Sequence, residues 1–344
     1  MVKMLSEIKE SAAGIRSAKL TNAAVLGDAV KAIRKKKPKS VVIAARGTSD
    51  HAGYFGKYLF EVYCGLPVAL ASCSVYTLYE GNMSLKDCLV IGISQSGKAA
   101  DVCEVVKRAN EQGAVTVTVT NDASSPLAEL GAFHLDCSQT NEVSVAATKT
   151  FVSQIYLMTA LAAKLSGNAF LRDTLKTLPA VLERTYKLEG QVEELAKRYR
   201  FINDSFVLGR GFAFPLALEF ALKTQETCYI RSRGYATSDF YHGPIAMISD
   251  NTPVFLFALE DTTKADSEKM IDSLRSKGAE VMVFTSDEDI LAKADTGIVI
   301  PGKNFLESAF AAAAAMQMFA CKLSLLRGLN PDSPRGLSKV TITK

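Results

Sequence analysis

Histidine is scarce in this sequence. Only His51, His134 and His242 occur in 344 residues, and no two stand at metal-ligand spacing, so no zinc site is expected. The seven cysteines (Cys64, Cys73, Cys88, Cys103, Cys137, Cys228 and Cys321) include no C-x-x-C pair and are odd in number. They read as reduced, mostly buried thiols of a cytosolic protein rather than a disulfide framework. No stretch offers the roughly eighteen uninterrupted apolar residues of a membrane span. The nearest, 309–321, is alanine-rich, broken by Gln317 and followed by Lys322, so it reads as a buried helix. Residues 1–10 mix Lys3, Glu7, Lys9 and Glu10 without an apolar core, so no secretory signal is seen and a cytoplasmic protein is expected. The net charge is only +4, and the densest basic run, Lys35-Lys36-Lys37-Pro38-Lys39, has no aromatics among its lysines. It reads as a solvated loop at a strand entrance, with no nucleic-acid partner.

Several catalytic signatures are missing as well. There is no G-x-x-x-x-G-K-[ST] phosphate loop, and Gly209-Arg210-Gly211 lacks the third glycine of a dinucleotide turn. The glycines around Ser94 and Ser96 are misplaced for a hydrolase elbow. Kinases, dehydrogenases and serine hydrolases are thus disfavoured, and no metal or organic cofactor is implied. A phosphorylated small molecule remains.

The chain that is present is globular, with 48% hydrophobic and 22% charged residues, and long enough for two cores. Apolar or β-branched runs at 40–45, 88–94, 114–119 and 133–137 alternate with helical stretches at 48–64, 99–111 and 148–165. That alternation predicts βαβ units on a parallel sheet. Leucines and valines recur at helical spacing through 169–200, as in connecting helices. The alternation then restarts with strands at 205–208, 253–259, 280–285 and 296–300 and helices at 214–229, 263–277 and 304–326. The expected fold class is α/β. An α/β domain with a leading helix over 1–168 is followed by a helical connector over 169–200, a second α/β domain over 201–329 and a polar tail over 330–344.

Ligands of open parallel sheets bind beyond the carboxyl ends of the strands. Two turns at such ends, Arg46-Gly47-Thr48-Ser49 and Ser94-Gln95-Ser96-Gly97-Lys98, place hydroxyls and free amides at helix starts. Unpaired donors and the helix dipole favour an anion there, and a phosphate monoester suits both turns. Helix 214–229 carries Glu219, Lys223 and Glu226 on one face, ordinarily a solvated ion-pair row. His242 stands beside Gly243-Pro244, ordinarily a structural position, and Lys339 lies in the polar tail, where exposure is the default.

These segments together resemble the isomerase half of glucosamine-6-phosphate synthase and its relatives, the tandem SIS (sugar isomerase) family. Ala45-Arg46-Gly47-Thr48-Ser49 resembles A-C-G-T-S, and Ile93-Ser94-Gln95-Ser96-Gly97 matches I-S-Q-S-G. Glu142 with Val145-Ala146-Ala147-Thr148-Lys149 resembles E-x-x-V-A-S-T-K. Leu208-Gly209-Arg210-Gly211, Ala217-Leu218-Glu219, Ala221-Leu222-Lys223, Glu226 and His242-Gly243-Pro244 follow in family order, and Pro334-Arg335-Gly336-Leu337-Ser338-Lys339 resembles P-R-N-L-A-K. The resemblance runs from about residue 40 to the C-terminus. It implies two flavodoxin-like parallel sheets flanked by helices.

By that resemblance Thr48, Ser49, Ser94, Gln95 and Ser96 hold a sugar 6-phosphate, Ala147 stands where the family has a site serine, and Lys223 orders the site. Glu226 is the base that moves a proton between C1 and C2, a task suited to a carboxylate shielded from water. His242 assists ring opening and is donated across a homodimer interface. Lys339 forms or supports a Schiff base, which needs a neutral amine. Lys98 and Ala99 depart from the family's Glu-Thr, so one phosphate hydroxyl is missing. The synthase has an N-terminal glutaminase domain, whereas Met1 here leads almost directly into the resembling sequence, so glutamine hydrolysis is not expected. The expected activity is a deaminase and isomerase that takes glucosamine 6-phosphate to fructose 6-phosphate and ammonia. A fructosamine-6-phosphate deglycase and a non-catalytic sugar-phosphate sensor are the alternatives.

Overall fold

The computed structural model describes residues 2–339, so residues 340–344 of the expected tail lie outside the described residues. The chain divides into two units. The N-terminal unit comprises Glu10–Glu142 and Ala147–Lys176, to which Ser338 and Lys339 also belong; the C-terminal unit comprises Thr177–Leu337 with Val143–Ala146 and the residues up to Lys9.

The N-terminal unit is entered through α1 (Lys3–Thr21) and α2 (Ala23–Lys36). Where the sequence reads as one leading helix there are two, separated at Asn22. Its buried amide donates to the Ala18 and Asp136 carbonyls and accepts from the Asp136 amide, all at 2.8 Å. Of the basic run, Lys35 and Lys36 are the last turn of α2, where positive charge meets the negative end of the helix dipole, and Lys37-Pro38-Lys39 form the loop into the following strand. The alternating elements follow as β1 (Ser40–Ala44), α3 (Thr48–Cys64), β2 (Val68–Leu70), α4 (Ser74–Thr77), β3 (Cys88–Ile93), α5 (Ala100–Glu111), β4 (Val115–Thr120), α6 (Pro126–Leu130), β5 (Phe133–Asp136) and α7 (Lys149–Ser166). The all-parallel sheet has the order β2-β1-β3-β4-β5. Helices α2, α3 and α7 pack together, while α4, α5 and α6 form a separate packed group. Every residue of β3 is buried, as a central parallel strand covered on both faces requires.

The C-terminal unit repeats the scheme. After α8 (Ala169–Tyr186), which passes from one unit into the other, and α9 (Glu189–Arg198) come β6 (Asp204–Gly209), α10 (Phe214–Cys228), β7 (Arg231–Ala236), α11 (Thr237–Phe240), β8 (Pro253–Ala258), α12 (Lys264–Ser276), β9 (Glu280–Thr285), α13 (Glu288–Lys293), β10 (Thr296–Val299) and α14 (Phe305–Leu326). The order β10-β9-β8-β6-β7 is the first sheet's order read from its other edge. Among the described residues α14 is the one helix long and apolar enough to cross a membrane (mean hydropathy 1.5), but 83% of that window is buried, packed on α9 and α10. The edge strands β2 and β7 are absent from the sequence-based reading. An edge strand has one neighbour, and β7 (R-S-R-G-Y-A) shows no apolar run.

Candidate functional site

In both sheets the chain leaves the first strand toward opposite sides, so the crevice of a doubly wound sheet falls beyond β1 and β3 in one unit and β6 and β8 in the other. In the N-terminal unit β1 and β3 pair in parallel from Ser40↔Cys88 to Ala44↔Gly92, which brings the two predicted turns side by side. Each turn depends on a glycine in left-handed backbone, Gly47 at φ 54° and Gly97 at φ 64°. A Cβ on Gly97 would lie 1.9 Å from the Ser125 hydroxyl, so no larger residue fits that bend.

The serines of these turns share one state. Gln154 Nε2 donates to Ser49 Oγ at 3.0 Å, the Gly97 amide to Ser94 Oγ at 3.1 Å, and the Lys98 amide to Ser96 Oγ at 3.3 Å. Each oxygen accepts one hydrogen bond while its own O–H remains able to donate to an incoming acceptor. Gln95 lies half-buried between the two serines, and Thr48 opens α3. Ala147, two residues before α7, offers only its backbone and a methyl group.

Glu142 is a component that sequence reasoning left without a role. Its buried carboxylate sits at the start of α7, where Oε1 accepts from the amides of Thr148 (2.8 Å) and Thr150 (3.2 Å) and Oε2 from the Thr150 hydroxyl (2.9 Å). Oε2 also receives Lys339 Nζ at 2.9 Å. Lys339 is therefore not a solvent-exposed tail lysine, since its side chain is 26% exposed and ends on a fixed carboxylate. The sequence signal was an acid just before a helix start, which many loops share.

In the C-terminal unit α10 carries the predicted row, and the expectation of a solvated face is overturned. Lys223 and Glu219 are wholly buried, with Nζ 3.4 Å from Glu219 and hydrogen-bonded to Glu226, which is 22% exposed. The reason is packing, because α10 lies against β6, β7 and α14 and its charged face turns inward. Burying the charges of Lys223 and Glu219 is costly unless they are paired, and Lys223 is shared between the two carboxylates. His242 follows α11 on an exposed turn, and its ring makes no hydrogen bond among the described residues. The tail before Lys339 is anchored on Tyr229, whose hydroxyl accepts from the Arg335 amide at 2.7 Å while the Arg335 guanidinium lies 4.3 Å over the ring.

The second crevice differs from the first. The Phe212 amide, at the turn where the first unit would hold an anion, donates instead to Glu260 Oε1 at 2.7 Å. Burial pushes the Glu260 carboxyl up, and the amides of Phe212 and Ala213 draw it back only in part. The molecule's own carboxylate fills this anion position. A separate cavity of about 440 Å³ in the N-terminal unit, lined by Lys19, Leu26, Tyr156, Lys164 and Arg172 among others, includes none of the predicted site residues. Among the described residues no group of His, Cys, Asp or Glu side chains is placed to hold a metal ion.

The SIS-domain model matches residues 33–164 and 202–327, one match on each sheet. The chain belongs to the SIS family. An SIS protein of Aquifex aeolicus, a glutamine–fructose-6-phosphate aminotransferase (isomerizing), is 36% identical over 311 residues, which are 89% of this chain and 52% of that one. The chain spans about half the length of the curated relatives it matches. A solved structure from Silicibacter pomeroyi DSS-3, described as a candidate phosphosugar isomerase, superposes with a TM-score of 0.89 at 30% identity over 96% of this chain and all of that one. The Thermotoga maritima glucosamine-6-phosphate deaminase matches with a TM-score of 0.80 over 99% of this chain and all of that one, and at 21% identity it speaks for the fold alone.

Proposed function

We propose that this chain is a sugar-phosphate isomerase acting as an amino-sugar-phosphate deaminase, converting glucosamine 6-phosphate to fructose 6-phosphate and ammonia. The observation that carries the reading is the α10 row, a carboxylate at the edge of solvent held by a buried lysine. The kinship with the isomerizing aminotransferase supports the substrate class.

In this reading Thr48, Ser49, Ser94, Gln95 and Ser96 take the phosphate through their hydroxyl and amide groups. Glu226 removes the C2 proton of the open-chain aldose and returns it to C1, leaving an imine at C2. Lys339 displaces ammonia from that imine by forming a Schiff base, which water then hydrolyses to release fructose 6-phosphate. Lys223 keeps Glu226 oriented, and His242, free on its turn, protonates the ring oxygen during opening. Lys339 makes that attack as a neutral amine. Its ammonium must first lose a proton, and the Glu142 carboxylate is the acceptor at hand. The steps use protein groups and water, with no call for a cofactor. A homodimer whose subunits exchange His242, and a cytoplasmic location, complete the proposal.

The test is ammonia release from a panel of sugar 6-phosphates led by glucosamine 6-phosphate. Release with fructose 6-phosphate formed is expected, and Glu226→Gln should lower kcat by about 10²–10⁴-fold while substrate still binds. Turnover of fructosamine 6-phosphates alone would make the chain a deglycase. Tight binding without any turnover would make it a sensor.

A further inference from the structure

We infer that Arg46 is a phosphate-reading residue of the N-terminal unit, held in place by the buried carboxylate of Asp101. The inference deepens the proposed function and rests on it for the identity of the substrate, though not for the anion itself. Arg46 occupies the turn after β1, and Asp101 stands in the first turn of α5, after β3. Arg46 Nε donates to Asp101 Oδ2 at 2.7 Å, while the other Asp101 oxygen accepts from the Val102 amide at 2.9 Å. Asp101 is completely buried and the Arg46 side chain is half exposed. One side of the guanidinium is thereby fixed. Both terminal nitrogens make no hydrogen bond among the described residues.

This arrangement exceeds what a structural tie requires. A buried aspartate needs one cationic partner, and a lysine or a single donor would serve. Arginine keeps a planar fork of donors on the side away from Asp101, the geometry that pairs with two oxygens of a phosphate. The pair also joins the two turns that carry the unspent serine hydroxyls, because β1 and β3 are neighbours. The partnership with Asp101 raises the pKa of Arg46, so its charge is permanent at any working pH. The sequence adds an independent point. Arg46 stands where the related turn has cysteine, and the same chain has Lys98-Ala99 where the related turn has Glu-Thr. A lost hydroxyl is offset by a gained cation. Asp50, at the start of α3, is the other carboxylate whose field reaches Arg46, and burial raises its pKa.

The experiment uses inorganic phosphate as the probe, titrated calorimetrically into the intact protein and into Arg46→Gln, Arg46→Lys and Asp101→Asn, with a thermal melt on each to confirm folding. Arg46→Gln should weaken phosphate about tenfold and flatten the salt dependence of binding. Arg46→Lys, which keeps the charge but loses the fork, should fall between it and the wild type. On glucosamine 6-phosphate the Arg46→Gln loss should appear in KM with kcat within about twofold. Phosphate affinity within about twofold of wild type in folded Arg46→Gln would reduce Arg46 to a tie between turns and overturn the inference. Arg46-dependent phosphate binding without turnover of any sugar phosphate would sink the proposed reaction and leave this inference standing. Turnover with Arg46-independent phosphate binding would do the reverse.

Discussion

Carboxylates decide much of this molecule, and each acts according to what donates to it. Glu226 faces a buried ammonium, Glu142 a helix start and Lys339, Asp101 a guanidinium, and Glu260 two backbone amides. Burial raises the pKa of Glu260. Its native state therefore favours the protonated form. The stability this contributes is present below the ordinary carboxyl range and is lost as pH rises through the raised value. Glu260→Gln keeps an acceptor for the Phe212 amide but cannot ionise. Its urea midpoint should exceed that of wild type by more at about pH 7 than at about pH 4. A difference that is the same at both pH values would mean that Glu260 is not desolvated in the folded protein.

At the scale of elements, strand interiors and helix ends follow local rules while the edges follow context. Helix α14 begins at Asn304, whose Oδ1 accepts from the amides of Leu306 at 3.1 Å and Glu307 at 3.0 Å. Asn304→Ala should cost about 1 kcal/mol in urea unfolding and Asn304→Gly only a few tenths, because glycine tolerates the cap conformation. The helix itself was legible as an alanine-rich run, and β9 falls at 280–285, where the sequence placed it. The strands β2 (Val68–Leu70) and β7 were not legible, because the first is only three residues long and the second, R-S-R-G-Y-A, has no apolar run. The face of α10 was misjudged for a related reason. Spacing placed Glu219, Lys223 and Glu226 together, but only the packing of the sheet and α14 around that helix decides that Glu219 and Lys223 are buried and Glu226 is left at the edge of solvent.

For the whole molecule, two sheets of one topology hold different contents in their crevices. The N-terminal unit leaves its serine hydroxyls and the Arg46 fork open, whereas the C-terminal unit fills the matching position with Glu260. A duplicated fold can in this way keep a single anion site. All seven cysteines are free, and burial raises Cys73 to about 11 and Cys228 and Cys321 to about 12, so these thiols are structural rather than nucleophilic. The exposed, unbonded ring of His242 fits donation to a second copy. Sedimentation should therefore show a dimer, and a catalytically dead His242→Ala subunit mixed with a dead Glu226→Gln subunit should regain activity. A fully active monomer would refute the exchange of His242.

The sequence by itself determined the α/β alternation, the two glycine turns and the family, because strand hydrophobicity, left-handed glycines and short motifs are written in consecutive residues. It also placed Glu226, His242 and Lys339 as candidates. The pairing of Arg46 with Asp101, of Lys339 with Glu142 and of the Phe212 amide with Glu260 joins residues 55, 197 and 48 positions apart. Only the tertiary structure could decide those pairings, since desolvation and hydrogen bonding depend on what the folded chain brings beside a group, and local sequence does not encode that environment.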